Sequence, residues 1–395
     1  MESNKLYDLE RLTNFRHDLH KHAELSYKEV RTSGKIIEYL TSLGINESQI
    51  RKVAQTGLIV DITGTAPASG KPFCVALRAD MDGLPIKEDN PEIDYQSVTE
   101  AAHMCGHDMH MTGLVGGTSK ILEKLNEIPS DKKLRLLFQP AEEAIGGALP
   151  MIKEGAMEGV DEVYGFHNWP WGQPGKLFVK KGPMMACITD IDIVIHGKGG
   201  HSSIPEQLKD PLQPAVDILA ELRNLIKEYK DKGEKFTICL PFIKTGNAPN
   251  AISDTAQLKG AFRSFEKKFT DEFRARLRSL VEETCKSYGC NPDIKIEEMY
   301  PATVNTDKET DNVVRVATKV FGEGNVLEDE RLPVFGAEDF SYFSQERPGC
   351  FFFLSSARNE GDVLHTNKFN AHDGVIPLAS EMWLRLIEDR FELKF

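Results

Sequence analysis

The sequence predicts an α/β protein interrupted by a smaller α+β domain, and two observations carry that prediction. Between about residues 58 and 166, short apolar runs alternate with helical patterns, and the same texture returns near the C-terminus. From residue 188 onward the strands are apolar on one face only. Buried strands separated by helices make a largely parallel sheet covered on both faces, whereas alternating strands make a sheet covered on one.

Leu9, Leu12 and Leu19 recur at near-helical spacing and predict an N-terminal helix. Leu58 to Ile62 and Phe73 to Leu77 read as strands, the second apolar on both faces. A helix is expected from Asp108 to about Leu125, then strands at Leu134 to Phe138 and Val163 to Phe166. Beyond residue 188, Thr189, Ile191, Ile193 and Ile195 share one strand face, while Asp190, Asp192 and His196 take the other. A helix follows with Asp210 as cap, Pro211 at its first position, and an apolar stripe of Ile218, Leu222, Leu225 and Tyr229. Strands fit 236–243 and 255–265, a helix runs from a Thr270 cap to Gly289, and a strand fits 293–299. The order strand, helix, strand, strand, helix, strand is the split βαβ arrangement. We therefore expect an α+β domain at 186–299 inserted into a larger domain formed by 1–185 and 300–395. The larger domain resumes through Phe351 to Leu354 and a helix after Ala379.

A length of 395 residues suits two such domains, and 40% hydrophobic content excludes a disordered chain. The balance of 48 basic against 61 acidic residues, −13 in sum, argues against nucleic-acid or anionic-membrane binding. Seven cysteines, odd in number and without a framework spacing, suggest a reducing, cytoplasmic setting. The start, Met1 to Lys5, leads into an amphipathic pattern with no cleavable apolar stretch, and no transmembrane run follows.

Three clusters carry chemistry. Arg78-Ala79-Asp80-Met81-Asp82 directly follows a buried strand, His103 through His110 opens a helix, and Pro140-Ala141-Glu142-Glu143 follows another strand. His167, within Gly165 to Trp169, also follows a strand. Ligands of open α/β sheets bind beyond the carboxyl ends of the strands, so these segments deliver carboxylates, imidazoles and a thiol to one sheet edge. Divalent transition metals take that mixture of donors. Cys105 and His107 are two residues apart and point the same way if extended. A helix start also favours the Cys105 thiolate. Adjacent Glu142 and Glu143 should diverge, one to bind metal and the other to shuttle a proton, as metal-assisted amide hydrolysis requires. Taken singly, a lone cysteine is usually a small buried hydrophobe and paired glutamates are usually solvated. His17, His20 and His22, and the six other cysteines, are read in that plain way.

With these segments the chain resembles the dinuclear metallohydrolase family of aminoacylases, hippurate hydrolases and indole-acetyl-amino-acid hydrolases. The resemblance runs in order through Arg16 to Glu29, Arg78 to Pro85, His103 to His110, Gln139 to Glu143, Gly199 to Ser203, Gly336 to Ser341, and Leu364 to Thr366. Departures are Ala23 for a usual proline, Ala251-Ile252-Ser253 in an Asn-Val-Ile-Pro-type stretch, Ala261 where threonine is common, and Ala337 for a usual serine.

The resemblance implies a phosphorylase/hydrolase-like α/β metallopeptidase domain with a ferredoxin-like lid and dimerisation domain. It implies two divalent ions per subunit (zinc, manganese or cobalt) held by Cys105, His107, Glu143, His167 and His365, with Cys105 bridging. Glu142 would be the general base, Asp80 would orient a ligating imidazole, and His201 would stabilise an oxyanion, in cis or from a second subunit. Asn250 and Arg263 would contact the substrate carboxylate. The implied reaction is hydrolysis of an N-acyl amino acid by a homodimer or tetramer. A dipeptidase or carboxypeptidase-like hydrolase on the same core is the rival. A silent small-molecule binding protein would lack Glu142 or a ligand, and none is missing.

Overall fold

The computed structural model describes residues 6–144 and 146–393, so the Met1 to Lys5 start lies outside them. The chain divides into two compact units, residues 1–184, 304–332 and 339–395, and residues 185–303 and 333–338.

The first unit is built on an eight-stranded sheet. Its order is Ile50–Val53, Gly57–Thr63, Lys132–Gln139, Phe73–Asp80, Glu162–Trp169, Gly349–Ser355, Leu177–Phe178, Val326–Leu327. The four central strands, from Lys132–Gln139 to Gly349–Ser355, are mutually parallel, while Gly57–Thr63 joins antiparallel. Phe73–Asp80 is buried from Cys74 to its end, which explains its unbroken apolar reading. The helix His107–Leu122 is buried along nearly its whole length and packs on Val375–Arg390. A row of glycines makes that approach possible: a methyl at Gly117 would lie 2.6 Å from Trp383 Cβ. The site described below therefore starts from a helix locked into the core.

The second unit carries a four-stranded antiparallel sheet in the order Phe236–Thr245, Thr255–Ser264, Cys187–His196, Asn291–Tyr300. Leu212–Asp231 and Lys267–Ser287 pack on one face, where Ile191, Ile193, Ile195, Ile218, Phe262 and Phe273 form the core. Asp190, Asp192 and His196 lie on the other face, as the alternation requires.

Two local expectations fail. Thr270 does not cap its helix, which begins at Lys267; its hydroxyl instead donates to the Glu266 carbonyl at 3.0 Å. A threonine that caps and one that bonds back a turn look alike in sequence. Residues 333–338, expected with the larger domain, cluster with the second unit. There the Ala186 N–H donates to the carbonyls of Val334 and Gly336, and Arg263 donates to that of Phe335.

Candidate metal centre and active site

In the first unit, three strand ends and one helix start supply the site. Phe73–Asp80 ends in Asp80, Lys132–Gln139 runs out into Glu142 and Glu143, Glu162–Trp169 carries His167, and the central helix begins at His107. Gly106, the residue before that helix, has φ 87°. A Cβ there would lie 2.3 Å from Asn168 Oδ1, so both the backbone and the neighbour demand glycine. Cys105 and His107 flank this left-handed residue, and both are buried.

Cys105 lies at the centre. Its Sγ is 3.3 Å from His167 Nε2 and 3.1 Å from His365 Nε2. The ligand atoms of Cys105, His107 and His167 lie within 4.8 Å of one another, as do those of Cys105, Glu143 and His365. His107 also groups in this way with Glu142 and Glu143. His167 is oriented by its Nδ1–H, which donates to the Asn168 carbonyl at 2.5 Å and leaves Nε2 free to face the thiol. His365 has φ 61°, and its N–H donates to the Met104 carbonyl at 2.8 Å. That bond ties the distant C-terminal loop to the segment before Cys105.

The groups are short of partners in the way a metal site is. Both His107 nitrogens and Glu143 Oε1 are buried without a hydrogen bond. His107 Nε2 lies 3.7 Å from Glu143 Oε1, and its Nδ1 lies 3.4 Å from Asp82 Oδ1, off alignment. Buried polar atoms are rarely left so. A thiol, three imidazoles and a carboxylate are donors that would suit divalent transition ions. The electrostatics agree. Burial opposes a charge on His107, but Asp80, Asp82 and Glu143 outweigh it and push the imidazole up to about 10. Burial, then Glu143 and Glu142, hold the Cys105 thiol well above its ordinary range. Burial holds His167 well below its own, neutral as a ligand must be.

Asp80 is fully buried. Its Oδ1 accepts from His110 Nδ1 at 2.5 Å, its Oδ2 accepts from Arg78 Nη1 at 2.7 Å, and His107 Nε2 lies 3.6 Å away. The imidazole it holds by hydrogen bond is thus His110, whose Nε2 accepts the Asn168 N–H at 2.8 Å. Burial works against the Asp80 charge, but Arg78, His107 and His110 keep its pKa well below the usual carboxylate range. Sequence reasoning gave Asp82 and His110 no role. Asp82 accepts the N–H groups of both Glu142 and Glu143, at 3.0 and 3.1 Å. The one available signal was its place two residues beyond Asp80, in the segment Arg78 to Asp82.

Behind the helix start, Arg16 donates to Asp108 at 2.7 Å, and His20 bridges Asp108 and Glu88 at 2.9 and 3.0 Å. His20 is fully buried and structural. All seven cysteines are unpaired, and Cys239 is the exposed one.

His201, Asn250 and Arg263 belong to the second unit. His201 is exposed on a short ribbon, paired with Ala251. Its Nδ1 accepts the Ser203 N–H at 3.1 Å, which leaves the proton on Nε2. Asn250 is exposed beside it, and its main-chain carbonyl accepts the Ser202 N–H at 3.1 Å. Arg263 donates one nitrogen to Phe335 at 2.8 Å and lines a groove with Asp190, Thr237 and Lys295 on the uncovered sheet face. Trp169 stacks on Phe353 at 4.1 Å, and Trp171 meets Phe178 edge-on, so both rings pack their loop.

A parallel-centred sheet with a thiol, imidazoles and paired glutamates at its strand ends defines a metal-dependent α/β hydrolase. Residues 76–389 match peptidase family M20/M25/M40, and the chain belongs to that family. It is a hydrolase of amide or peptide bonds. It is 35% identical over 376 residues to thermostable carboxypeptidase 1 of Saccharolobus solfataricus, covering 93% of this chain and 92% of that one. It is 32% identical over 379 residues to hippurate hydrolase of Campylobacter jejuni, covering 94% of each. A solved Bacillus subtilis protein, described as a dinuclear metal-binding peptidase of the M20 family, matches with a TM-score of 0.83. That match is 28% identical and covers 98% of this chain and 99% of the other.

Proposed function

We propose that this enzyme hydrolyses the amide bond of N-acyl amino acids, with Cys105, His107, Glu143, His167 and His365 holding two divalent ions. The carrying observation is that His107, His167, Glu143 and His365 group around Cys105, while Glu142 groups with His107 and its neighbour Glu143. The ions, when bound, supply Lewis acidity and an acidified water. Glu142 removes the proton from the attacking water and delivers it to the leaving amine. His201, with its proton on Nε2, donates to the oxyanion as charge develops there. The Arg263 guanidinium and Asn250 take the carboxylate of the amino acid product. Asp80, through His110 and Arg78, keeps the strand end beneath the ligands rigid. The 186–299 segment acts as the lid and joins two subunits in a homodimer.

A carboxypeptidase-like reading has one observation in its favour, the 35% identity to a thermostable carboxypeptidase. The metal-reconstituted enzyme assayed on N-acetyl and N-benzoyl amino acids, carboxyl-blocked versions of them, and unblocked dipeptides separates the two. Preference for acylated substrates supports the proposal. Faster turnover of unblocked dipeptides would replace it with the peptidase reading.

A further inference from the structure

The turn that carries Glu142 and Glu143 is held by carboxylates from elsewhere in the first unit. Pro140 has no N–H to offer. The next three N–H groups each donate to a buried carboxylate. Ala141 donates to Glu29 Oε1 at 2.9 Å, Glu142 to Asp82 Oδ1 at 3.0 Å, and Glu143 to Asp82 Oδ2 at 3.1 Å. Ala141 has φ 55°, in the left-handed region that residues with a Cβ disfavour. A non-glycine residue persists there only where its surroundings over-determine it, and such residues gather at working sites.

Glu29 is the group that over-determines it. It is fully buried, and its second oxygen accepts the Thr56 hydroxyl at 2.6 Å. Among the described residues it ion-pairs with no lysine, arginine or histidine. Burying such a side chain without a cation is costly, and Glu29 offsets that cost through the two hydrogen bonds it accepts, from the Ala141 N–H and the Thr56 hydroxyl. The residue after Thr56 completes the cradle: a Cβ on Gly57 would lie 2.8 Å from Pro140 Cδ. The chain therefore enters the turn against Gly57, is pinned at Ala141 by Glu29, and is caught by Asp82 over the next two residues.

We infer that Glu29 is a positioning residue for the reaction, fixing the Ala141 peptide in its left-handed turn so that Glu142 points at the attacking water. Glu29 touches neither substrate nor ligand and acts through Glu142. The inference rests on the reading of Glu142 as the base. Proton transfer needs the base within hydrogen-bond reach of the water, so a modest rotation of this turn lowers turnover steeply. Glu142 directly follows the Ala141 peptide that Glu29 holds, whereas Glu143 lies one residue further on and keeps its own bond to Asp82 Oδ2, so metal binding is expected to be retained.

The test uses the metal-loaded full-length enzyme with metal content, kcat and KM measured together. Glu29→Ala is expected to lower kcat by about ten- to a hundredfold, the scale of a displaced general base, with KM within about twofold and unchanged metal per chain. Glu29→Gln keeps an oxygen for the Ala141 N–H and should return kcat to within about threefold of wild type. Thr56→Val, which frees Glu29 to swing, should fall between them. If Glu29→Ala fails to fold, Thr56→Val against Glu29→Gln decides the matter in the same way. In a Glu142→Gln background, adding Glu29→Ala should cost no further turnover, because both changes act through one group. Unchanged kcat in Glu29→Ala, an equal further loss in the Glu142→Gln background, or a loss that follows metal content alone would overturn the inference. Glu142→Gln at wild-type turnover would instead overturn the base assignment, whatever the Glu29 variants do.

Discussion

Loading metal into the metal-free protein between about pH 7.5 and 8.5 is expected to expel at least two protons per filled site. The first comes from His107, whose imidazole the surrounding carboxylates push up to about 10. The second comes from Cys105, whose thiol is held well above its ordinary range by burial and by Glu143 and Glu142. Both groups are protonated in the metal-free protein across that interval, and both must be deprotonated to bind. Acid therefore competes with metal, and affinity rises with pH. With two protons displaced, the product of the two binding constants should rise at least about a hundredfold per pH unit. Calorimetric titration in buffers of different ionisation enthalpy counts the protons directly, and chelator competition gives the slope. Cys105→Ala should reduce both the count and the bound metal. A wild-type count below two at full loading would refute the reasoning, because it would mean that His107 or Cys105 is not a ligand or is already deprotonated.

Further outcomes follow from the same geometry. Glu142→Gln should keep its metal and lose at least about a hundredfold in kcat, the usual size of a general-base effect, as read in steady-state assays. Gly106→Ala must accept a left-handed backbone and a clash with Asn168. It should lose about 2–5 kcal/mol in denaturant unfolding, the sum of the backbone and overpacking costs, together with bound metal. Arg16→Met leaves Asp108 buried beside His20 without its guanidinium, and breaking such a pair costs about 3–5 kcal/mol. Thermal melting of that variant checks the loss, and an unchanged Tm would show that His20 alone suffices. Mixing His201→Ala chains with Glu142→Gln chains should restore activity if His201 serves the partner's site, and no recovery would place it in its own.

The chemistry-bearing residues were legible because their spacing is local. Cys105 and His107 sit two apart at a helix start, the glutamates are adjacent, and the Arg78–Asp82 and Pro140–Glu143 clusters each follow an apolar run that marks a strand end. What holds them was not legible. Asp82 reaches the Glu142 N–H across 60 residues, Glu29 reaches Ala141 across 112, and Arg16 reaches Asn370 across 354. Periodicity reports which face of an element is apolar and carries no record of a partner a hundred residues away. Asp80 shows the limit well: the resemblance implied a group that orients a ligating imidazole, but the packing bonds it to His110, outside the expected ligand set, and leaves His107 Nε2 3.6 Å away. The same holds for residues 333–338, whose pairing with Ala186 no local pattern encodes.

The sequence by itself determined the α/β-with-insert texture and the thiol, imidazoles and paired glutamates offered near one sheet edge, because side-chain chemistry and short-range spacing are written there, whereas His365 and the separate roles of Glu142 and Glu143 were expected from the family resemblance alone. Only the tertiary structure decided that Cys105 groups with His107 and His167, and separately with Glu143 and His365, within 4.8 Å, that burial and clustered carboxylates favour the protonated forms of Cys105 and His107, and that Glu29 and Asp82 pin the turn carrying Glu142 and Glu143. Those are properties of a closed, low-dielectric space, and such a space exists only once distant segments have packed.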